Sequence, residues 1–486
     1  VIRKLKHLAG LIYLPLFGCF SGIAFGQCAG QAGTPAAAAD CAARGTPQDK
    51  IATLDSAHAY TLAELIDIAE HNNPRTRIVW EQAKQRADRL GIERSAYFPI
   101  LAGVAIFSDE RVISPFPKPL APLGYTLVTA PAVVPEVTLQ YLLFDFGQRR
   151  AKVDAATAEK IAAGANFIQV NQEVAFRVSS SYYKLLTAQE RLQAAEDTLK
   201  TAQTTQDSAE ARLGNGRATL PDVLNARAET AQALFDRESA DGDEKIARVA
   251  LAETIGVEPS PDVKIDAQKS APLPQALTMP IDALIDRALA NRPDLMAQAA
   301  EIRAADDEIR AAKAEYKPKF VVNGTAGETS LWPTSSYGQL GSATAFTWSA
   351  ALAVEWKILD GGVRKNQVAA AESKRRQAQN EMTEKHDQAT REVWTAYIAF
   401  RTALRKEEAA AALLEAANTS YSASLDAYKF GVKNLIDVVT AEKQLAQARL
   451  SSVSARSQLF LEAVDLEFVT GNLLRSMPRA TKPPTN

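Results

Sequence analysis

Most of this chain is one structural sentence written twice. "RLGNGRATLPDVLNARAE" (Arg212 to Glu229) returns as "YKFGVKNLIDVVTAEKQ" (Tyr428 to Gln444), with Gly216 matching Gly431, Leu220 Leu435, Asp222 Asp437, Val223 Val438 and Ala226 Ala441. The offset of 215 holds without a gap from about Leu139 to Gly256 and Gly471. Further upstream the offset is 219: Leu62 to Pro74 matches Ile281 to Pro293, and Tyr97 and Pro99 match Tyr316 and Pro318. The two offsets differ by four residues, which fall between Pro99 and Leu139 and mark a tolerant loop there. By length alone 486 residues would make two or three ordinary domains. A doubled unit of this size instead makes the two copies halves of one architecture.

The repeat divides the chain into residues 1–26, 27–59, a first repeat at 60–258, a Pro-rich joint at 259–279, a second repeat at 280–474 and a tail at 475–486. Each repeat carries the same plan. A helical pattern of about 23 residues (Arg75 to Tyr97 in the first) ends at Pro99, where a helix would lose a backbone bond. A β-hairpin follows, predicted over 100–145 and 319–359. Then come a long helix (148–213 and 363–428) and a returning helix (220–255 and 434–470).

The last strand is the most legible. Trp348, Ala350, Leu352, Val354, Trp356 and Ile358 alternate with Ser349, Ala351, Ala353, Glu355 and Lys357, the period of two of a strand with one apolar face. Trp348 and Trp356 lie about 27 Å apart along such a strand, which suits the two aromatic girdles of a membrane barrel. A half-buried strand of a soluble sheet has the same alternation. No apolar run of 18 residues follows the first segment, so any membrane crossing would have to be a closed barrel.

The long helices would each span about 100 Å. Val178, Leu185, Leu192 and Leu199 form one heptad stripe, and Val174, Ser181, Ala188, Ala195, Ala202 and Ala209 another. The second copy repeats the small stripe as Ala389, Ala396, Ala403, Ala410, Ala417 and Ser424. Such seams predict left-handed coiled coils with close approach, with or without a channel. Gly214, Gly216 and Gly431 stop the long helices where positive φ is needed. Thr219 or Asn434 can cap the next helix, Pro221 fits its first turn, and Asp222 and Asp437 sit at its positive end. Each stretch is therefore a helix-turn-helix tip. The returning and opening helices together nearly equal the long one, so they can stack end to end beside it.

The first 26 residues place Arg3, Lys4 and Lys6 before an apolar run and a small-residue site near Gly26, the pattern of a secretory signal peptide. Its removal takes three positive charges from a formal net charge of -2, leaving -5. No basic field points to nucleic acid. Cys19 follows Leu16-Phe17-Gly18, a loose and poor match to a lipid-attachment site. Cys28 and Cys41 remain in residues 27–59, expected to be a flexible arm, either as a disulfide or as two free thiols. Four His, three Cys and four Met are sparse material for a metal or redox site. With no nucleophile elbow, metal-ligand spacing or phosphate loop, neither an enzyme nor a cofactor is expected.

The doubled tip motif, the Asp-Gly turns after the second strands (Asp145 to Gly147, Asp360 to Gly362) and the Pro at each helix-to-strand change resemble the TolC-like outer-membrane factor family from Tyr60 to Leu474. The resemblance implies a mainly α chain with a small β part. Four strands from each of three copies would form a twelve-stranded barrel in the outer membrane, with an α-barrel of long coiled-coil helices in the periplasm. It implies a passive exit duct of a tripartite efflux pump or type I secretion system, working with a periplasmic adaptor and an inner-membrane pump of RND, ABC or MFS type. Residue by residue, it implies a tip lock of Asp222 with Tyr428 and Lys433. Lys stands there where Arg is usual, so a bidentate bond is not available. Asp437 matches an acidic entrance ring, Thr440 replaces a second acidic position, and Gly214, Gly216, Leu220, Pro221, Gly431 and Leu435 fall where the adaptor would dock. The residues read alone offer blander roles as well: Asp222 and Asp437 as helix-dipole partners, Tyr428 as packing, Lys433 as a solvated turn residue. The competing reading for the whole chain is a soluble periplasmic or surface coiled-coil scaffold without a pore.

Overall fold

The computed structural model describes residues 34–44, 55, 58–115, 117–118, 121–260, 263–266 and 279–476. In each repeat a short helix leads into a second one. The first repeat has α2 (Leu62–Asn72), α3 (Pro74–Ser95), α4 (Gln148–Gly214) and α5 (Leu220–Ile255). The second has α6 (Ile281–Asn291), α7 (Pro293–Ala314), α8 (Val363–Lys429) and α9 (Leu435–Val469), closed by a single turn, α10 (Leu473–Ser476). Both long helices have 67 residues. α3 and α5 pack along successive lengths of α4, and α7 and α9 along successive lengths of α8. α4 also packs against α7 and α9, so the helices form one layer with α3 and α5 on one edge and α8 on the other.

The same seams that read as heptads are buried here. Ala389, Ala396, Ala403, Ala410, Ala417 and Ser424 are all buried along α8. In α4 Val174, Val178, Leu185, Ala202 and Ala209 are buried and Ser181, Leu192 and Leu199 half-buried, whereas Ala188 and Ala195 line a groove between α4, α5 and α9.

Beyond the helices lies an antiparallel sheet of four long strands in the order β2 (Ile100–Pro115), β3 (Tyr125–Phe144), β5 (Lys319–Leu331), β8 (Ala343–Glu355). A small hairpin of β6 (Thr334–Ser335) and β7 (Gly338–Gln339) extends the far end of β3. β2 pairs with β3 from Ile100↔Gln140 to Pro115↔Tyr125, and β5 with β8 from Lys319↔Glu355 to Leu331↔Ala343. Among the described residues, β2 and β8 each keep one edge unpaired. Strand β8 stops at Glu355, three residues short of the expected Ile358, because the chain turns toward the Asp360 junction. Trp356 therefore lies past the strand and donates its Nε1–H to the Tyr316 carbonyl (3.1 Å), while Trp348 stands exposed within it.

The change from strand to long helix is made identically in both repeats. Asp145 accepts from the amide N–H of Gly147 (3.2 Å), the amide N–H of Arg149 (2.8 Å) and Arg149 Nε (3.1 Å). Asp360 accepts from Gly362 N (3.1 Å), Arg364 N (3.2 Å) and Arg364 Nε (2.5 Å). Each arginine then lies over the tyrosine that ends the preceding helix, Arg149 over Tyr97 at 5.3 Å and Arg364 over Tyr316 at 4.9 Å. Gly147 and Gly362, at φ of 90° and 89°, supply the left-handed residue this turn demands.

Halfway along the helices the two repeats again do the same job with different residues. Asn73 donates Nδ2–H to the Thr254 carbonyl (2.9 Å); its counterpart Arg292 reaches the equivalent Val469 carbonyl (3.5 Å). Arg292 also forks onto Asp294 (3.1 and 2.7 Å) and takes Glu392 (2.6 Å), where the first repeat has the neutral Asn73. Here β1 (Ala59–Tyr60) pairs in parallel with β4 (Lys264–Ile265), so the described part of the joint is tied to the start of the first repeat.

Residues 27–59 do not all form the expected flexible arm: α1 (Pro35–Arg44) is a packed helix, which corrects that expectation. It docks on α3 and α4, burying Ala38 against Trp80, Ala83 and Phe167 and Ala39 beside Gly164. Asp40 is ion-paired with Lys160. Gly164 makes the approach possible: a Cβ there would meet the Pro35 carbonyl at 2.1 Å and Ala39 at 2.9 Å. Cys41 is disulfide-bonded; Cys28 and Cys19 lie outside the described residues, as do the signal-peptide segment and the tail beyond residue 476.

This packing can be tested at two places. Gly164→Leu pushes α1 off the helix layer, so limited proteolysis removes the N-terminal segment of the variant and spares it in the parent. Glu70, buried on α2, has its carboxyl pushed up to about 8 by burial and, secondarily, by Asp67. Between the ordinary value of 4.5 and about 8 the folded chain thus binds a proton that the unfolded chain releases, and stability falls as pH rises through that window. Glu70→Gln should raise the melting temperature at pH 8, with the gain shrinking toward pH 4.5.

Candidate gate at the hairpin tips

Each tip is a helix stop followed by a helix start. α4 ends with Gly216 N–H on the Leu213 carbonyl (2.9 Å) and Arg217 N–H on the Arg212 carbonyl (2.8 Å), with Gly216 at φ 67°. α8 ends with Gly431 N–H on the Tyr428 carbonyl (2.9 Å) and Val432 N–H on the Ala427 carbonyl (2.9 Å), with Gly431 at φ 79°. Gly214 is still helical, as the last residue of α4. The new helices open on reciprocal capping boxes, Thr219 with Asp222 and Asn434 with Asp437.

These boxes occupy the two aspartates. Asp222 accepts from Thr219 N (2.9 Å) and Thr219 Oγ1 (2.7 Å), and these bonds, the backbone one first, hold its carboxyl below the usual range, helped by the charge of Arg212. Asp437 accepts from Asn434 N (3.3 Å) and is exposed. Lys433 donates to Ser424 Oγ (3.2 Å) on its own hairpin. Among the described residues no hydrogen bond or ion pair joins Asp222 to Tyr428 or Lys433 within one chain.

Tyr428 is buried in the cluster that binds the tips together, with Ala209 and Val223 of the first hairpin and Leu425, Leu435 and Val438 of the second. Its hydroxyl has no hydrogen-bond partner among the described residues, and burial raises its pKa. The residue that meets it is Arg212, whose guanidinium lies 4.4 Å from the ring centre and donates Nη1–H to the Tyr428 carbonyl. The sequence gives Arg212 no weight, because its counterpart in the second repeat is Ala427 and the internal match passes over it. Further into the bundle Glu442 is buried as well, accepting from Thr205 Oγ1 (2.8 Å), which also contacts the Tyr421 hydroxyl (3.4 Å). Burial raises the pKa of Glu442.

Among the residues expected at an adaptor contact, the repeats differ. Leu220 is exposed with Pro221, whereas Leu435 is buried. Phe430, Val432 and Ile436 of the second tip are exposed beside it. Thr440 bonds its own helix at the Ile436 carbonyl (2.7 Å).

The family model described as "Outer membrane efflux protein" matches residues 65–257 and 284–472, its two segments falling on the two repeats. The chain is 27% identical over 425 residues to the protein CyaE of Bordetella pertussis, covering 85% of each. It is 24% identical over 438 residues to the outer membrane protein TolC of Vibrio cholerae, covering 87% of this chain and 93% of that one. Its fold matches the crystal structure of a membrane protein from Pseudomonas aeruginosa with a TM-score of 0.72 at 24% identity, over 84% of this chain and 93% of the other. With the family model spanning both repeats, the sheet and the tips, the chain belongs to the outer membrane efflux protein family.

Proposed function

We propose that three copies of this chain form a passive exit duct, closed at rest where the helix hairpins meet. An outer-membrane efflux channel of this family places its sheet in the membrane and its helices in the periplasm. The observation that carries assembly is the pair of unpaired sheet edges, β2 and β8, among the described residues of a sheet that exposes large apolar side chains. Phe346, Trp348, Leu352 and Val354 point to one exposed side of β8, a face suited to lipid, with Trp348 and Trp356 as its aromatic anchors. Lipid satisfies no backbone N–H or C=O, so the edges must pair with other copies, β8 of one with β2 of the next.

The helix layer has the same property. On its α5 edge, Leu224, Phe235 and Ile246 are exposed at an eleven-residue spacing, and on its α8 edge Trp394, Ile398 and Leu413 are exposed. Joining the α5 edge of one copy to the α8 edge of its neighbour buries both stripes.

The duct needs no chemistry of its own. The energy comes from an inner-membrane pump of RND, ABC or MFS type, relayed by a periplasmic adaptor. The exposed Leu220, Pro221, Phe430, Val432 and Ile436 at the tips, beside the Gly216 and Gly431 turns, are its contact. Asp222 and Lys433, each bonded within its own hairpin in the single chain, are the charges of the tip lock between inner and outer hairpins, with Tyr428 packed behind them. Asp437, repeated three times, supplies a negative ring that favours cations.

Two experiments test this reading. In a planar bilayer the detergent-purified protein should give small, cation-favouring currents that rise several-fold in Asp222→Ala plus Lys433→Ala; a protein that stays soluble and never inserts defeats the duct. Phe235→Asp should lower the trimer fraction measured by native mass spectrometry while helical circular dichroism is kept; an unchanged trimer would place the α5 stripe outside the interface.

A further inference from the structure

We propose that Arg212 is the latch that holds the two hairpin tips of one protomer together, gripping the C-terminal end of α8 while its plane rests on the Tyr428 ring. This rests on the reading of the tips as the gate, and it assigns the cation of the closed state to the first repeat's long helix.

Helix polarity creates the need for a cation here. α4 and α8 both run from the sheet to the tip, and Arg212 bonding the Tyr428 carbonyl joins their C-terminal ends there, both of them negative dipole ends. The turns satisfy most of the last carbonyls but supply no charge. Arg212 supplies it to both ends at once. Nη1 donates to the carbonyls of Tyr428 and Lys429, the latter at 3.5 Å, and Nη2 donates to the Arg217 carbonyl at 3.4 Å. The first two acceptors belong to α8, and the third to the turn that ends α4 itself. A Cβ on Gly431 would sit 4.0 Å from Arg212 Nη2, so the second turn closes directly over the guanidinium.

The cations beside the second turn are engaged within their own hairpin, Lys433 with Ser424 at 3.2 Å and Lys429 with Asp426 at 3.2 Å, and Lys443 further along α9 crosses to Glu229 at 2.8 Å without reaching the helix ends. The position equivalent to Arg212 is Ala427, so the second repeat cannot make the same contact in return. The Tyr428 hydroxyl takes no part, being buried without a partner among the described residues, and it is the ring that the guanidinium covers at 4.4 Å. Only arginine can stack on a ring and fork onto carbonyls at the same time. Separating the hairpins breaks the bonds to the Tyr428 and Lys429 carbonyls and the ring contact together, while the bond to Arg217 stays within the first hairpin, which makes the site a two-state element.

The test uses the full-length trimer in a planar bilayer, with trimer mass and melting temperature recorded for every variant. Arg212→Gln should raise conductance several-fold with the melting temperature and trimer unchanged. Arg212→Lys should fall between it and the parent, because an ammonium reaches one carbonyl without covering the ring. Tyr428→Phe should conduct like the parent. If Tyr428→Phe opens the channel and Arg212→Gln does not, the closed state runs through the hydroxyl and the latch is refuted while the tip gate survives. The latch is equally refuted, with the tip gate intact, if Asp222→Ala plus Lys433→Ala opens the channel and Arg212→Gln stays closed. If every one of these variants conducts like the parent, the gate lies elsewhere and both readings fall. Should Arg212→Gln not assemble, Arg212→Lys decides: parental conductance overturns the latch.

Discussion

A sheet of four strands with both outer edges unpaired cannot stand in lipid, and much of this molecule answers to that constraint. Each unpaired N–H or C=O in the hydrocarbon costs several kcal/mol, on the order of what separates a folded domain from an unfolded one. β2 and β8 must therefore find partners, which further copies of the chain supply in the proposed trimer. Closing the sheet in the proposed way would set the helices that leave it in a ring. The exposed stripes on α5 and α8 would then be the surface that this assembly covers.

Converting a membrane barrel into a ring of helices requires an abrupt change of direction at every strand end. The chain solves it twice with one device: an aspartate that gathers the first helical amides, a left-handed glycine, and an arginine that returns to the aspartate and lies over the tyrosine of the neighbouring helix. The junction ties strand, long helix and short helix into one rigid corner. Midway down, the repeats part company. Asn73 makes a neutral bond where Arg292 organises Asp294 and Glu392, so the second half is charge-braced at the point where the first is not. The tips differ in the same spirit, with Arg212 standing where the second copy has Ala427.

That pattern gives the two hairpins separate tasks. The first hairpin carries the guanidinium and an exposed Leu220; the second carries the tyrosine it covers, the buried Leu435 and the buried Glu442. A device that opens needs parts that move relative to one another, and polar contacts between the hairpins, rather than within them, are where such motion is decided. Arg212 to Tyr428 and Thr205 to Glu442 both cross between hairpins.

The repeat, the strand alternation, the seams of small residues and the glycine stops are legible in the sequence because each is a local periodicity or a backbone requirement. The membership of Asp222 and Asp437 in capping boxes is also readable, since a box needs only residues three apart. The docked helix α1 is not: its seat depends on a missing Cβ at Gly164, 120 or more residues away, and no periodicity reports that. Nor is Arg212, whose partners lie 216 residues off on another helix end. Comparison of the two repeats even conceals it, because matching rewards what the copies share and a latch depends on where they differ. By itself, then, the sequence determined the elements, their doubling and their polarity. Which helix ends meet, and which charge stands between them, was decided only when the two hairpins packed against each other.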